Sequence, residues 1–164
     1  MNPFVNPNKR DVLLPSGCKD LMDVLRRSRP VHQPEIHVGE LDHLHDYITK
    51  LMATLAPAAV LTIASMDGLM RIGLERSAES IAVFPELGVS EQGRGVEEFF
   101  AERGIQACVD YLAWSAGSPN RILGFTLPFD SSEASRLVAE LIHSVYGPYA
   151  EAELEFGYFE TEAA

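Results

Sequence analysis

The sequence predicts an α+β fold: two layers, with helices packed on one face of a mostly antiparallel sheet, preceded by an extended N-terminal arm. Three observations predict it. Segments with the two-residue period of strands alternate with segments of helical period, short turns join neighbouring strands, and a basic, proline-rich start precedes an acidic remainder. At 164 residues and 46% hydrophobic, the chain suits one domain whose core needs no metal or disulfide.

The stretch in which the ends of the predicted elements are clearest is Arg121–Phe159. Its first strand is apolar on both sides and ends at Pro128, which removes a ladder donor. Asp130 and Glu133 have the spacing of a capping box, which predicts the start of a helix, and a Gly-Pro pair ends that helix. The helix repeats apolar residues at three- and four-residue spacing: Ala134, Leu137, Val138, Leu141, Ile142 and Val145. A half-buried strand, Ala152–Phe159, follows.

The same two periods predict the elements before this run. Helices are expected over Gly17–Ser28, over about Glu40–Leu55, and through Val96, Phe99 and Phe100 to Gly104. Strands are expected over Ala59–Ser65, Leu69–Arg76, Ser80–Phe84 and from Ile105 to Ala113. The connections are a linker at Arg29–Pro34, a hairpin turn at Asp67–Gly68, a loop at Pro85–Gly95 and a turn at Ser115–Asn120.

Charge separates the chain into two parts. Residues 1–30 carry six basic and three acidic side chains and therefore +3, and subtracting this from the total of −11 leaves −14 for residues 31–164. We therefore expect a basic N-terminal arm with a short helix and proline linker over residues 1–34, and a single acidic α+β domain over residues 35–164. A domain this acidic repels the phosphate backbone of nucleic acids. We therefore predict no nucleic-acid partner. The sequence favours an arm docked on its own body or on a neighbouring copy, with an acidic outside partner as the alternative.

From Glu40 to Tyr146 the predicted order is helix, three strands, helix, two strands, helix. Together with the acidity, this order resembles that of the type III secretion chaperones and their structural relatives. The resemblance implies a small, acidic, dimeric and non-catalytic protein. It does not extend to the basic arm or to the final strand.

Cellular location is predicted from what the sequence lacks. Its start has no apolar core of signal-peptide length, and no apolar run approaches the roughly eighteen residues that span a membrane. Cys18 and Cys108 are far apart in the sequence, so two reduced thiols are expected. The prediction is a cytoplasmic protein with no membrane partner and no cofactor.

Four of the five histidines fall among several carboxylates in Val31–Tyr47, which raises the question of a metal site. The candidate ligands are His37, Glu40 and His43, the last two with the Glu-x-x-His spacing of di-iron helices. One copy of that motif does not complete such a site, and on a helix His43 and His45 diverge. We therefore predict no metal site, and keep a small-molecule or metal-binding enzyme or sensor around residues 32–46 as the alternative.

Cys18 is the candidate reactive thiol. It lies in the first turn of a predicted helix beside Lys19, where the helix dipole and the cation favour the thiolate. A small apolar residue that anchors the arm is the simpler interpretation, because nothing in the sequence fixes a partnering histidine. No catalytic residue is predicted.

One sheet face is expected to be solvated and to take part in binding. Its charged residues would be Arg71, Glu75, Asp110, Glu153 and Glu155. Leu112 and Trp114 share a face with Asp110 if their strand alternates, which predicts an apolar patch. The predicted partner contacts are Phe4, Lys9, Arg10, Arg26, Arg27, Arg29, Leu112 and Trp114. The function predicted is a non-enzymatic interaction module, chaperone-like or an assembly subunit, that binds a polypeptide partner or itself as a homodimer.

Overall fold

The computed structural model describes residues 34–87, 90–115 and 118–161, and within them only the backbone of residues 90–92, 113–115 and 118–120. These ranges contain one sheet of seven strands and three α-helices. The strands are β1 (Glu35–Gly39), β2 (Ala58–Ser65), β3 (Arg71–Ser77), β4 (Ser80–Pro85), β5 (Ala107–Ser115), β6 (Ser118–Leu127) and β7 (Leu154–Thr161). The helices are α1 (Leu44–Ala53), α2 (Ser90–Glu102) and α3 (Ser131–Val145), with short 3-10 turns at Leu41–His43 and Gly147–Glu151.

All the strand pairs are antiparallel, in the order β1-β7-β2-β3-β4-β6-β5. β7 therefore lies between β1 and β2, and β1 and β5 form the two edges. The predicted α+β class, and the predicted element order from Glu40 to Tyr146, are confirmed within the described residues. The arm, the helix Gly17–Ser28 and most of the proline linker fall outside them.

The main core lies between the helices and one face of the sheet. Alternate residues of five strands point into it, and each helix contributes an apolar stripe at three- and four-residue spacing. Phe100 of α2 stacks on Phe125 of β6, with ring centroids 4.0 Å apart. The helical residues of this core are Leu44, Ile48, Leu51, Val96, Phe99, Phe100, Ala134, Leu137, Val138, Leu141 and Ile142.

The start of α3 follows the predicted cap in part. The Asp130 carboxylate accepts the backbone N–H of Glu133 at 2.9 Å, so the N-cap is confirmed. The return bond of a capping box is not formed. The Glu133 carboxylate accepts a hydrogen bond from Arg136 instead, at 2.8 Å, and the N–H of Asp130 donates to the Pro128 carbonyl.

The β2–β3 hairpin is organised by Asp67. Its carboxylate accepts hydrogen bonds from the Ser65 hydroxyl at 2.5 Å, the Leu69 N–H at 2.9 Å and the Tyr149 hydroxyl at 2.8 Å. These bonds, that from Ser65 first, hold the pKa of Asp67 below its usual value. Gly68 takes a positive φ of 75°, the conformation for which the predicted Asp-Gly turn needs glycine.

The structure differs from the sequence predictions mainly in three places. Glu35–Gly39 forms a strand where none was expected, because it is only five residues long and its described partner β7 is distant in sequence. α2 begins at Ser90 inside the predicted loop Pro85–Gly95, with its two glycines in the helix, and Gly95 lies against Val145 of α3. β6 begins at Ser118, inside the predicted turn.

We expect Tyr146→Phe to make the fold more resistant to alkali. Tyr146 is 2% exposed, its hydroxyl makes only a 3.4 Å bond to the Glu86 carbonyl, and burial raises its pKa from 10.0 to about 12. A raised folded-state pKa contributes stability below the unfolded value, and that contribution is lost as pH rises through the folded value. Chemical denaturation at pH 7, 10 and 12 should show wild type losing about 2 kcal/mol of unfolding free energy from this group by pH 12.

The Tyr146→Phe variant should not show this part of the loss. At pH 7 its unfolding free energy should lie within about 1 kcal/mol of that of wild type. Tyr158, whose pKa is also raised to about 12, is retained in both proteins and contributes to the remaining slope, as do Tyr47 and Tyr149, whose pKa values are also raised. Parallel losses in the two proteins between pH 10 and 12 would contradict the assignment to Tyr146.

Candidate functional site

Because the described helices pack on one face, the opposite face and the two edges are the parts of the sheet left for other contacts. We call that opposite face the second face. A row of residues in register crosses the middle of it, one from each strand, and three of the seven are glycines. From β1 to β5 the row is Ile36, Gly157, Thr62, Gly73, Phe84, Gly124 and Val109.

The glycines of this row allow close packing on the second face. A Cβ added to Gly124 would lie 2.5 Å from the ring of Phe84, which therefore rests directly on the backbone of β6. A Cβ on Gly157 would lie 2.5 Å from the hydroxyl of Thr62. At these two glycines the space above the backbone is therefore filled by Phe84 and Thr62.

Apolar side chains on the second face are buried. Phe84, Val109 and Tyr111 form a second cluster, separate from the main core, against which Cys108 and other partly buried residues pack. On the other half of the face, Val60 is 1% exposed and Phe159 is 6% exposed. The second face is therefore largely apolar rather than the solvated surface that the sequence predicted.

Charged residues expected together on that solvated face are divided between the two sides. Glu75 is on the second face but only 7% exposed, and Arg71 and Glu155 are exposed there. Asp110 was placed wrongly: it points to the helix side, where it accepts two 3.0 Å hydrogen bonds from Arg121. A bulge between Ala107 and Val109 is the reason, because an extra residue shifts which side chains of β5 face each way.

The edge at β5 has features that oppose further strand pairing. It contains that bulge, and Arg121 connects β6 to Asp110 of β5 and to Glu97 of α2, at 3.0 and 2.6 Å. These carboxylates, Asp110 first, hold the pKa of the Arg121 guanidinium above its usual value. The β5 edge is thus bent and is held to α2 by ion pairs.

The edge at β1 is regular and exposes two apolar side chains on one of its faces. Its five residues pair with β7 without a bulge, and on its other side no described residue pairs with it. Ile36 and Val38 are 60% and 53% exposed. Its acidic side chain is already paired, because Lys50 of α1 donates to the Glu35 carboxylate at 2.5 Å and lowers the pKa of Glu35.

The histidine-rich window does not assemble a metal centre in the described residues. His37 lies on β1 with its ring 6.3 Å from that of Tyr47, while His43 sits beside Asp42, its Nδ1 3.5 Å from a carboxylate oxygen. His45 is turned toward α3, where its Nδ1 is 3.3 Å from the Ser135 hydroxyl. Among the residues that the structure describes, no three His, Cys, Asp or Glu side chains are placed to hold a metal ion.

Most of the predicted partner contacts lie beyond the described part of the chain. These are Phe4, Lys9, Arg10, Arg26, Arg27 and Arg29, together with the thiol candidate Cys18. Leu112 is half-buried and pairs with Arg121, and the backbone of Trp114 pairs with Pro119. Sequence reasoning missed Ile36 and Val38, although the alternation of polar and β-branched residues in Glu35–Gly39 was a usable strand signal.

No family model, no curated protein and no solved structure matches this chain. The resemblance to type III secretion chaperones therefore stays an expectation based on element order and acidity. In the described ranges, none of the helices combines the length and apolar character needed to cross a membrane.

We expect Gly124→Ala to destabilise the protein by about 1–3 kcal/mol, because the new methyl group meets the Phe84 ring. Phe84→Leu removes that ring, so the double variant should lose less stability than the sum of the two single changes. Urea unfolding of the four proteins measures this coupling.

Gly147→Ala is the matched control. A Cβ at Gly147 would meet nothing within 4 Å, so its effect should stay within about 0.5 kcal/mol. A Gly124→Ala variant as stable as the control would show that Phe84 does not rest on β6.

Proposed function

We propose that this protein is a non-enzymatic interaction module that binds a polypeptide, either a partner or a second copy of itself, by adding a strand to β1. The observation that carries the proposal is the contrast between the two edges of the sheet. β5 is bulged and pinned by an ion-pair network, whereas β1 is regular and exposes Ile36 and Val38.

Strand addition suits this edge for two reasons. The backbone N–H and C=O groups on the outer side of an edge strand supply a ladder that does not depend on the partner's sequence. Ile36 and Val38 lie two residues apart on one face, so they would contact alternate side chains of the added strand. Five residues make a small contact, which suits a weak or transient complex unless neighbouring surfaces contribute.

The second candidate, an enzyme or sensor built around residues 32–46, remains a sequence prediction that no described contact favours. The same applies to the cytoplasmic location, the lack of a nucleic-acid partner and the partner contacts assigned to the arm.

We expect lysines at both exposed β1 positions, Ile36→Lys with Val38→Lys, to weaken association at least about tenfold, because charges on an edge strand oppose pairing. Two assays on the full chain measure this. Sedimentation velocity across a concentration series follows the rise in mass above the 18.1 kDa monomer, and a displayed library of random peptides is selected on wild type.

Leu55→Lys is the control, since Leu55 is 101% exposed but lies in the connection between α1 and β2. It should associate and bind selected peptides as wild type does. A protein that neither self-associates nor selects any peptide sensitive to the β1 substitutions would refute strand addition.

A further inference from the structure

We propose that residues 1–33 cover the second face of their own chain and form a third layer of the fold. The inference concerns the arm and the second face, and it stands whether or not a partner pairs with β1.

Burial on the second face calls for a covering layer. Val109, Val60 and Phe159 are 0%, 1% and 6% exposed, although every described helix packs on the opposite face. A sheet face open to water leaves the outer part of such side chains accessible and carries mostly polar residues. Residues 1–33 are the longest stretch of chain outside the described residues, so they are the natural source of that layer.

The chain geometry allows the arm to reach the whole face. The described chain begins at Pro34, directly before β1, and Ile36 and Val38 of β1 lie on the second-face side. Six interstrand spacings separate β1 from β5, a distance of about 29 Å. A segment the length of Gly17–Ser28 is about 18 Å long as a helix, and residues 1–33 fully extended span roughly 110 Å.

The apolar character of the face matches the composition of the arm. Val60, Phe159 and the cluster of Phe84, Val109 and Tyr111 offer contacts for apolar anchors. The arm contains many such anchors in a sequence otherwise rich in proline and asparagine. They are Phe4, Val5, Val12, Leu13, Leu14, Leu21, Met22 and Leu25.

Charge supports the same placement. The arm supplies cations close to its junction with β1, at Arg26, Arg27 and Arg29. An arm carrying +3 against a remainder of −14, from the total of −11, is attracted to this body rather than repelled by it.

Photocrosslinking in the full chain tests the placement. A photoreactive phenylalanine analogue is introduced at Thr126 or Glu155, both exposed on the second face, and at the control position Thr49 on the exposed side of α1. An equal mixture of unlabelled and ¹⁵N-labelled protein is irradiated, and crosslinked peptides are identified by mass.

We expect the two second-face probes to crosslink to residues 1–33 with both peptides carrying the same isotope label, and the Thr49 probe to give no such product. Mixed-label pairs would show that the arm of a second copy occupies the face. Mixed pairs, or no crosslinks to residues 1–33, overturn the inference.

Thiol alkylation provides a second measurement that needs no bulky probe. Cys108 packs against the second-face cluster, with its thiol donating to the Gly124 carbonyl at 3.3 Å. We expect Leu21→Asp, which places a charge in the apolar stripe of the arm, to raise the alkylation rate at Cys108 roughly tenfold or more by releasing the arm. Asn8→Asp adds the same charge outside that stripe and should leave the rate unchanged, and equal rates in both variants and wild type would count against a covering arm.

Discussion

Burial of one apolar face of an antiparallel sheet beneath three described helices is the interaction on which the rest of this structure depends. α3 contacts both other helices, and together they enclose the alternate side chains of the strands. A sheet has two faces, however, and helices on one side leave the other to be managed by different means. Here much of the second face is apolar and buried, which suits contact with protein rather than with water.

The two edges of the sheet differ in regularity and in the side chains that they carry. At β5 a bulge and the Arg121 ion pairs with Asp110 and Glu97 bend the strand and hold it to α2. At β1 the single carboxylate forms an ion pair with Lys50, and two β-branched side chains remain exposed. Such asymmetry restricts intermolecular strand pairing to one side of the molecule. The face and the edge are therefore separate surfaces, and we assign them to different occupants.

Elements with local determinants could be predicted from the sequence, and elements with distant determinants could not. α3 was predicted because its cap at Asp130 and its apolar stripe are contiguous, and the β2–β3 hairpin because Asp67 and Gly68 specify the turn. β1 was missed because it is short and pairs with β7, far along the chain. Glu75 alternates like a solvated residue, and periodicity does not reveal that it is buried.

The position of β7 between β1 and β2 also constrains the order in which the chain can fold during translation. β1 emerges from the ribosome early, yet the strand to which it bonds is made more than a hundred residues later. At roughly 5–20 residues per second, β1 and β2 each wait several seconds for that neighbour. During this interval Ile36 and Val38 lie beside an incomplete sheet, so β1 cannot take its final place until β7 has been made.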